Sequence, residues 1–204
     1  TITQNAGVAV TLGTSGYSQA GGTFTASDTT ITTNGNWTIS GGTFNQGSST
    51  VVFVGLPGGT ITGSHTLNHV TFDTNSSGEF NWTIAAGTTL TVAGTLTLDN
   101  TSTGPIHLNT GTIAAQGNIT VADANNYSGT ATILINGTGA QTFSGAATQT
   151  AGGLPNVQIN KPSGTLTLAG TIRADGSWTY TAGTVNAGTS TVVFGSGGST
   201  ITGS

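Results

Sequence analysis

The sequence predicts an all-β chain, a parallel β-solenoid of about ten short coils, and three observations lead to that fold class. The first is a pattern that returns. Residues 36–64 read NWTISGGTFNQGSSTVVFVGLPGGTITGS, and residues 177–204 read SWTYTAGTVNAGTSTVVFGSGGSTITGS, one deletion apart near Val54. The second is the lack of helix signals. Glu79 is the only Glu among 204 residues, and glycine falls every six to eight residues across most of the chain. Each helix-interior glycine costs up to about 1 kcal/mol relative to alanine, so no window of a dozen residues favours a helix. The third is charge. Only 4% of residues are charged, against roughly 25% in an ordinary soluble domain. Stacked like charges repel along a ladder, so an uncharged chain suits a stack of coils. A β-sandwich built from hairpins is the alternative. Hairpins favour Asn-Gly and Asp-Gly turns. Asn34-Gly35, Asn136-Gly137 and Asp175-Gly176 are present, but most strand boundaries are a lone Gly, Ala-Gly or Ser-Gly.

In chain order the expected strands are Val8–Leu12, Thr23–Ala26, Trp37–Ser40, Thr50–Val54, Thr60–Thr62 and Leu67–Phe72. Next come Asn81–Ile84, Thr89–Val92, Thr95–Leu98, Ile106–Leu108, Ile119–Val121 and Thr132–Ile135. The last are Gln141–Phe143, Asn156–Ile159, Thr165–Leu168, Ser177–Tyr180, Thr191–Phe194 and Ser199–Thr202. Each is rich in Val, Ile, Leu, Thr or aromatic residues and is bounded by Gly, Asn, Asp, Ser or Pro. In Thr60-Ile61-Thr62, Thr89-Leu90-Thr91, Thr95-Leu96-Thr97, Thr165-Leu166-Thr167 and Thr200-Ile201-Thr202 an apolar residue sits between two threonines. Strand side chains alternate between faces, so the middle residue points inward and both threonines outward. A narrow aliphatic core inside a hydroxyl-rich skin follows.

Further copies share the rhythm. Trp37 precedes Val51 by fourteen residues, Trp178 precedes Val192 by fourteen, and Ile119 stands fourteen before Ile133. The spacings from 37 to 82, 119 and 178 are 45, 37 and 59. The chain therefore reads as one elongated repeat domain over 1–204. It has a partial copy in 1–33 and copies starting near 34, 81, 118 and 175, all built on a strand-turn step near seven residues. At about twenty residues per coil and ~4.8 Å between stacked strands, the rod is on the order of 45 Å long.

Gly-Thr-Phe-Asn-Gln-Gly-Ser-Ser-Thr-Val-Val-Phe at 42–53, Thr-Ile-Thr-Gly-Ser at 60–64, Leu-Asn-His-Val-Thr-Phe at 67–72 and Leu-Thr-Val-Ala-Gly-Thr-Leu-Thr-Leu at 90–98 resemble the repeat regions of very large bacterial cell-surface and secreted proteins of the adhesin type. The likeness covers most of residues 34–204. It implies a right-handed β-helix located outside the cell or on its surface, and it carries over no functional residues.

Both ends read as interrupted. Ser204 stops where the first copy continues into His65-Thr-Leu-Asn-His-Val, and Thr1 begins without a charged-then-apolar signal segment. Either a leader has been removed or the chain is part of a longer one. A free solenoid needs caps, and an uncapped coil offers unpaired backbone groups to another chain. Ile2, Thr3, Ile201 and Thr202 are therefore the candidate interface, and a head-to-tail homo-oligomer or filament is the expected partner arrangement.

Other chemistry is sparsely supported. Without cysteine, disulfides and Cys-based zinc sites are excluded. Lys161 and Arg173 are the only strong bases, which argues against nucleic acid. No apolar run approaches the ~18 residues of a membrane span. Asp73 and Glu79 are the only acids close in sequence, read as flanks of a turn at Asn75-Ser76-Ser77-Gly78 rather than as a glycosidase pair. A Ser nucleophile elbow is missing. His65 and His69, four apart in one strand-like run, share a face in this reading, and His107 is the third member of the only possible metal set. They read as surface polar positions, so no catalytic, metal or cofactor site is expected. Trp37, Trp82 and Trp178 suit core or corner packing better than sugar stacking. Asn-x-Ser/Thr occurs at Asn36, Asn75, Asn81, Asn100, Asn118, Asn126 and Asn136, which permits glycans. The leading expectation is an extracellular structural protein. A glycan-binding adhesin segment follows, then an ice-binding face of outward threonines or a polysaccharide-active enzyme. The unequal copy spacing counts against the ice face.

Overall fold

A computed structural model describes residues 1–74, 77–195 and 200–203. Asn75, Ser76, Ser199 and Ser204, invoked above in a turn, a sequon, a strand and a repeat, lie outside the described residues. Among the described residues there is no helix, and every strand pairing is parallel. They form a β-solenoid of nine coils with the first strand of a tenth. None of its elements is a helix long and apolar enough to cross a membrane.

Each coil has three faces, here called A, B and C in the order the chain visits them. Face A opens with Ile2–Thr3, Thr23–Thr25 and Thr43–Asn45. A second ladder on this face starts at His65–Leu67 and passes through Thr89–Val92, Thr112–Ala115 and Thr132–Ile135 to Ile201–Gly203. Face B runs from Val10–Leu12 through Thr30–Thr33, Thr50–Phe53, His69–Asp73, Leu96–Asp99 and Ile119–Val121 to Gln141–Ala146. Face C begins with Tyr17–Gln19, Trp37–Ile39, Gly58–Thr62, Phe80–Ile84, Ile106–Asn109 and Tyr127–Ser128. In the eighth coil one strand, Asn156–Ala174, bends through all three faces without losing its ladders. Coil length is not fixed. Val70 takes Val51 as its partner in the coil below and Leu96 in the coil above, and the second step is the longer in sequence.

The threonine-flanked triplets orient as the alternation dictates. Ile61, Leu90, Leu96 and Leu166 are completely buried, while the threonines beside them are partly exposed. Ile201, the fifth, is 60% exposed because it lies in the last coil and no described residue covers it from above. Aromatic rings fill the core of the first four coils. Tyr17 stacks on Trp37 at 4.4 Å, Phe24 on Phe44 at 5.3 Å and Phe53 on Phe72 at 5.1 Å. Offset stacking suits rings held one strand spacing apart. From Thr112 onward the buried core is mainly aliphatic.

The copies seen in the sequence do not coincide with coils. Trp37 lies on face C and Trp178, its counterpart, on face A. Thr50–Phe53 is on face B and Thr191–Phe194 on face C. What recurs is the strand-turn step, and three such steps close one coil. Sequence alternation also missed short strands with little apolar content, such as Tyr17–Gln19, Thr30–Thr33 and Thr43–Asn45. These are strands because a neighbouring coil holds their backbone edges. The single run expected over Leu67–Phe72 is two strands, His65–Leu67 and His69–Asp73, with a corner at Asn68.

Corners are tight where coils approach. Gly63 has φ +86°, and a Cβ there would sit on the carbonyl oxygen of Ile39 one coil below. Gly87 has a similar φ of +75° but open space around it. Gly87→Ala is therefore expected to cost only the conformational penalty, about 1 kcal/mol. Gly63→Ala adds a backbone clash and should cost at least about twice that in denaturant unfolding. Equal losses would contradict the stacking at this corner.

Candidate functional site

The two ends of the solenoid are the sites that its ladders leave open among the described residues. Each strand of the first coil pairs there on one side only: Ile2–Thr3 with Thr23–Thr25, Val10–Leu12 with Thr30–Thr33, and Tyr17–Gln19 with Trp37–Ile39. At the other end, again among the described residues, Ile201–Gly203 pairs only with the start of the strand Trp178–Asn186, and Thr191–Phe194 only with the close of Asn156–Ala174. The core is open there as well. Ile2 is 66% exposed, Val8 52%, Phe194 40% and Ile201 60%, and Thr3 and Thr202 are exposed beside them. A cavity of about 370 Å³ opens at the C-terminal end between Ile159, Leu168, Trp178, Tyr180, Val185 and Phe194. A smaller one of about 240 Å³ lies at the N-terminal end beside Ile2, Tyr17 and Phe24. These walls are core side chains of the end coils.

Inside the rod, polar groups gather at corners. Lys161 is 1% exposed, and its Nζ donates to the carbonyls of Gly137 (2.7 Å) and Gly139 (3.0 Å) and to Gln141 Oε1 (2.5 Å). Burial pushes this ammonium below the usual lysine range. Gln141 in turn donates to the carbonyls of Ala115 and Gly117 and accepts from the Gly137 N–H. In the sequence Lys161 counts only as one of two strong bases and has no assigned role. Its partners are carbonyl oxygens one coil away along the chain, which carry no sequence signature.

Stacking also gathers acids that are scattered in sequence. Asp73 and Asp99 are ladder partners on face B, and Asp123 follows one coil later. Burial pushes the Asp99 carboxyl up, and the charges of Asp73 and Asp123 add to the shift. Asp73 Oδ1 accepts from the Thr74 N–H (2.6 Å) and the Thr101 hydroxyl (2.9 Å). Asp123 Oδ2 accepts from the Asn100 N–H (2.6 Å) and from the Tyr127 hydroxyl. Burial, then the bond to Asp123, raises the Tyr127 phenol above its ordinary range. Glu79 does not join this column. It precedes Phe80–Ile84 on face C, with Oε1 3.9 Å from His107 Nε2.

The histidines are placed apart, which corrects the expectation that His65 and His69 share a face. The corner at Asn68 sends His65 to face A and His69 to face B, and His107 is on face C. His65 Nδ1 donates to the Gly63 carbonyl at 2.5 Å, and burial holds its pKa below the usual value. His69 Nδ1 accepts from the Thr95 N–H at 2.9 Å. His107 Nδ1 lies 2.6 Å from Ser128 Oγ. The order Ser128–His107–Glu79 matches a nucleophile, base and carboxylate, but at 3.9 Å the carboxylate is beyond hydrogen-bond reach and does not orient the ring. Among the described residues no three His, Asp or Glu side chains converge on a metal position.

Trp37 and Trp82 are completely buried and Trp178 is 8% exposed, so none of the three offers a ring to a sugar. Of the sequon asparagines, Asn100 is buried and its amide donates to the Gly104 carbonyl at 2.7 Å, which closes it to a glycan. Compared with family models, curated proteins and solved structures, the chain matches none.

Two substitutions test the internal polar groups. Lys161→Met removes the donor shared by the Gly137 and Gly139 carbonyls and Gln141 Oε1, of which the last keeps the Gly137 N–H, and should cost about 1–3 kcal/mol; an unchanged unfolding midpoint would contradict the network. Asp99 holds its proton more tightly when folded, so its ionisation costs stability as pH rises above the ordinary carboxylate range. Asp99→Asn should therefore raise the melting temperature at pH 7 by about 1–2 °C at low salt. That gain should vanish near pH 3, where the aspartate is already neutral.

Proposed function

We propose that the chain is an extracellular structural protein, a β-solenoid unit that stacks end to end with copies of itself into a filament or surface fibre. The observation that carries this reading is the open C-terminal core, where Trp178, Tyr180, Val185 and Phe194 line a cavity of about 370 Å³ beside a ladder edge that no described strand covers. The N-terminal coil presents the matching features, an exposed Ile2 and Val8 and strands paired on one side. Parallel strands can extend a ladder indefinitely, so the natural cover for a solenoid end is another coil. A net charge of −4 opposes self-association only weakly. Location outside the cell is supported by the resemblance to surface-protein repeats. A glycan-binding segment is the weaker reading, because the tryptophans that would stack on sugars are buried.

The test is assembly of the purified chain. Negative-stain micrographs and light scattering at rising concentration should show unbranched filaments a single rod wide. Ile2→Asp and Ile201→Asp place a charge on one end each and should abolish them. Thr91→Asp, on a lateral face of a central coil, should leave them intact. Monomers at every concentration, or filaments from both end variants, would overturn the reading.

A further inference from the structure

Face B carries an outward-facing array that end stacking does not use. One rank, one residue per coil, is Thr11, Thr32, Val52, Thr71, Thr97 and Thr120, and it continues at Ser144. A second rank, two residues earlier in each coil, holds Ala9, Thr30, Thr50, His69, Thr95, Asn118 and Thr142. No residue of either rank is a carboxylate, a lysine or an arginine. The ladder from Val10–Leu12 to Gln141–Ala146 has no register shift. Unequal copy spacing counts against such an array in the sequence. The structure corrects that objection, because the extra residues are absorbed at corners and the strands stay aligned. The other faces are less uniform. One rank of face A includes Ala114, Leu134 and Gln158, and a rank of face C includes Gly58 and His107.

We infer that face B binds ice. Strands stacked in parallel repeat every ~4.8 Å, and the two ranks stand ~6.7 Å apart. Waters bonded tetrahedrally at about 2.75 Å place second neighbours about 4.5 Å apart, within a tenth of the strand repeat. Threonine is restricted at χ1, so its methyl and hydroxyl lose little freedom on binding. In the second rank two of the non-threonine side chains are fixed from within: His69 Nδ1 accepts the Thr95 N–H, and Asn118 Oδ1 accepts the Thr142 N–H, both at 2.9 Å. The result is a rigid, periodic surface, uncharged over these two ranks and bordered by the outward Asp73 and Asp99 one step further along their strands, whose hydroxyls can join a water lattice while the methyls sit in its openings. A soluble partner has no need of such length. A crystalline solid repeats as the face does.

The experiment uses the whole chain. Wild type should partition into a slowly grown ice hemisphere and show thermal hysteresis that rises with concentration. Thr97→Lys with Thr120→Lys puts two strongly hydrated ammonium groups into the array and should lower the hysteresis at least about fivefold. Circular dichroism of this double variant should match wild type. Thr91→Lys on face A should retain full activity. Exclusion of folded wild type from ice would overturn the inference, as would full activity of the double variant or equal loss in Thr91→Lys. Retention on crystalline cellulose without uptake into ice would overturn it in favour of a polysaccharide surface. Because the end residues are untouched, filament formation by Ile2→Asp and Ile201→Asp reports on the stacking reading separately.

Discussion

Everything in this molecule depends on one constraint: a strand's backbone groups point along the rod axis and must be met by the coil above and the coil below. The parallel ladder meets them on all three faces. Once the ladder is in place, alternation decides the rest. One side of each strand lies in a core only a few side chains wide, and the other side forms the surface. The ladder also explains why apolar content is a poor guide to strand position here. Thr30–Thr33 holds one apolar residue, yet it pairs with Val10–Leu12 on one side and Thr50–Phe53 on the other, and those two edges make it a strand.

Corners are where the ladder fails, and two kinds of side chain repair it. Inside, Gln4, Gln19, Asn100, Gln141 and Lys161 are buried and reach carbonyls or hydroxyls in or beside the turns. Outside, Asn36, Ser64, His69, Asn118 and Asn156 each accept a backbone N–H from the coil that follows, at 2.9 to 3.0 Å. These bonds give the chain freedom to vary the length of its turns. The step from Val51 to Val70 is shorter than the step from Val70 to Leu96, yet the face is undisturbed, because the ladder bonds set the rise from one rung to the next and the extra residues are taken up between strands.

The fold class was legible because its signals are local. Thr-Leu-Thr at 89–91 and Thr-Ile-Thr at 60–62 declare an inward and an outward side within three residues, and both orient as expected. The low charge pointed to stacking for the same reason the Asp73–Asp99–Asp123 column shows: like groups on successive coils are forced together. What was hidden depends on contacts between successive coils, a full turn of the chain apart. The sequence shows His65 and His69 as near neighbours, yet a corner divides them. It shows Lys161 without a partner, yet three oxygens surround its nitrogen. The copies at 37 and 178 look equivalent, yet they lie on different faces, since the recurring unit is a third of a coil. The alignment of the outward threonines into ranks on face B was hidden in the same way, because unequal spacing along the chain conceals equal spacing along the axis.

A stack held by its rungs is weakest where it has a rung on one side only, and both proposals rest on the ladder, one on its edges and the other on its flanks. Residue-by-residue amide hydrogen exchange of the dilute chain tests this most directly. The account predicts slow exchange in central strands such as Leu96–Asp99, Thr112–Ala115 and Ile119–Val121. Protection should fall towards Ile2–Thr3 and Ile201–Gly203. Protection that is uniform from one end to the other, or lowest in the middle coils, would contradict it.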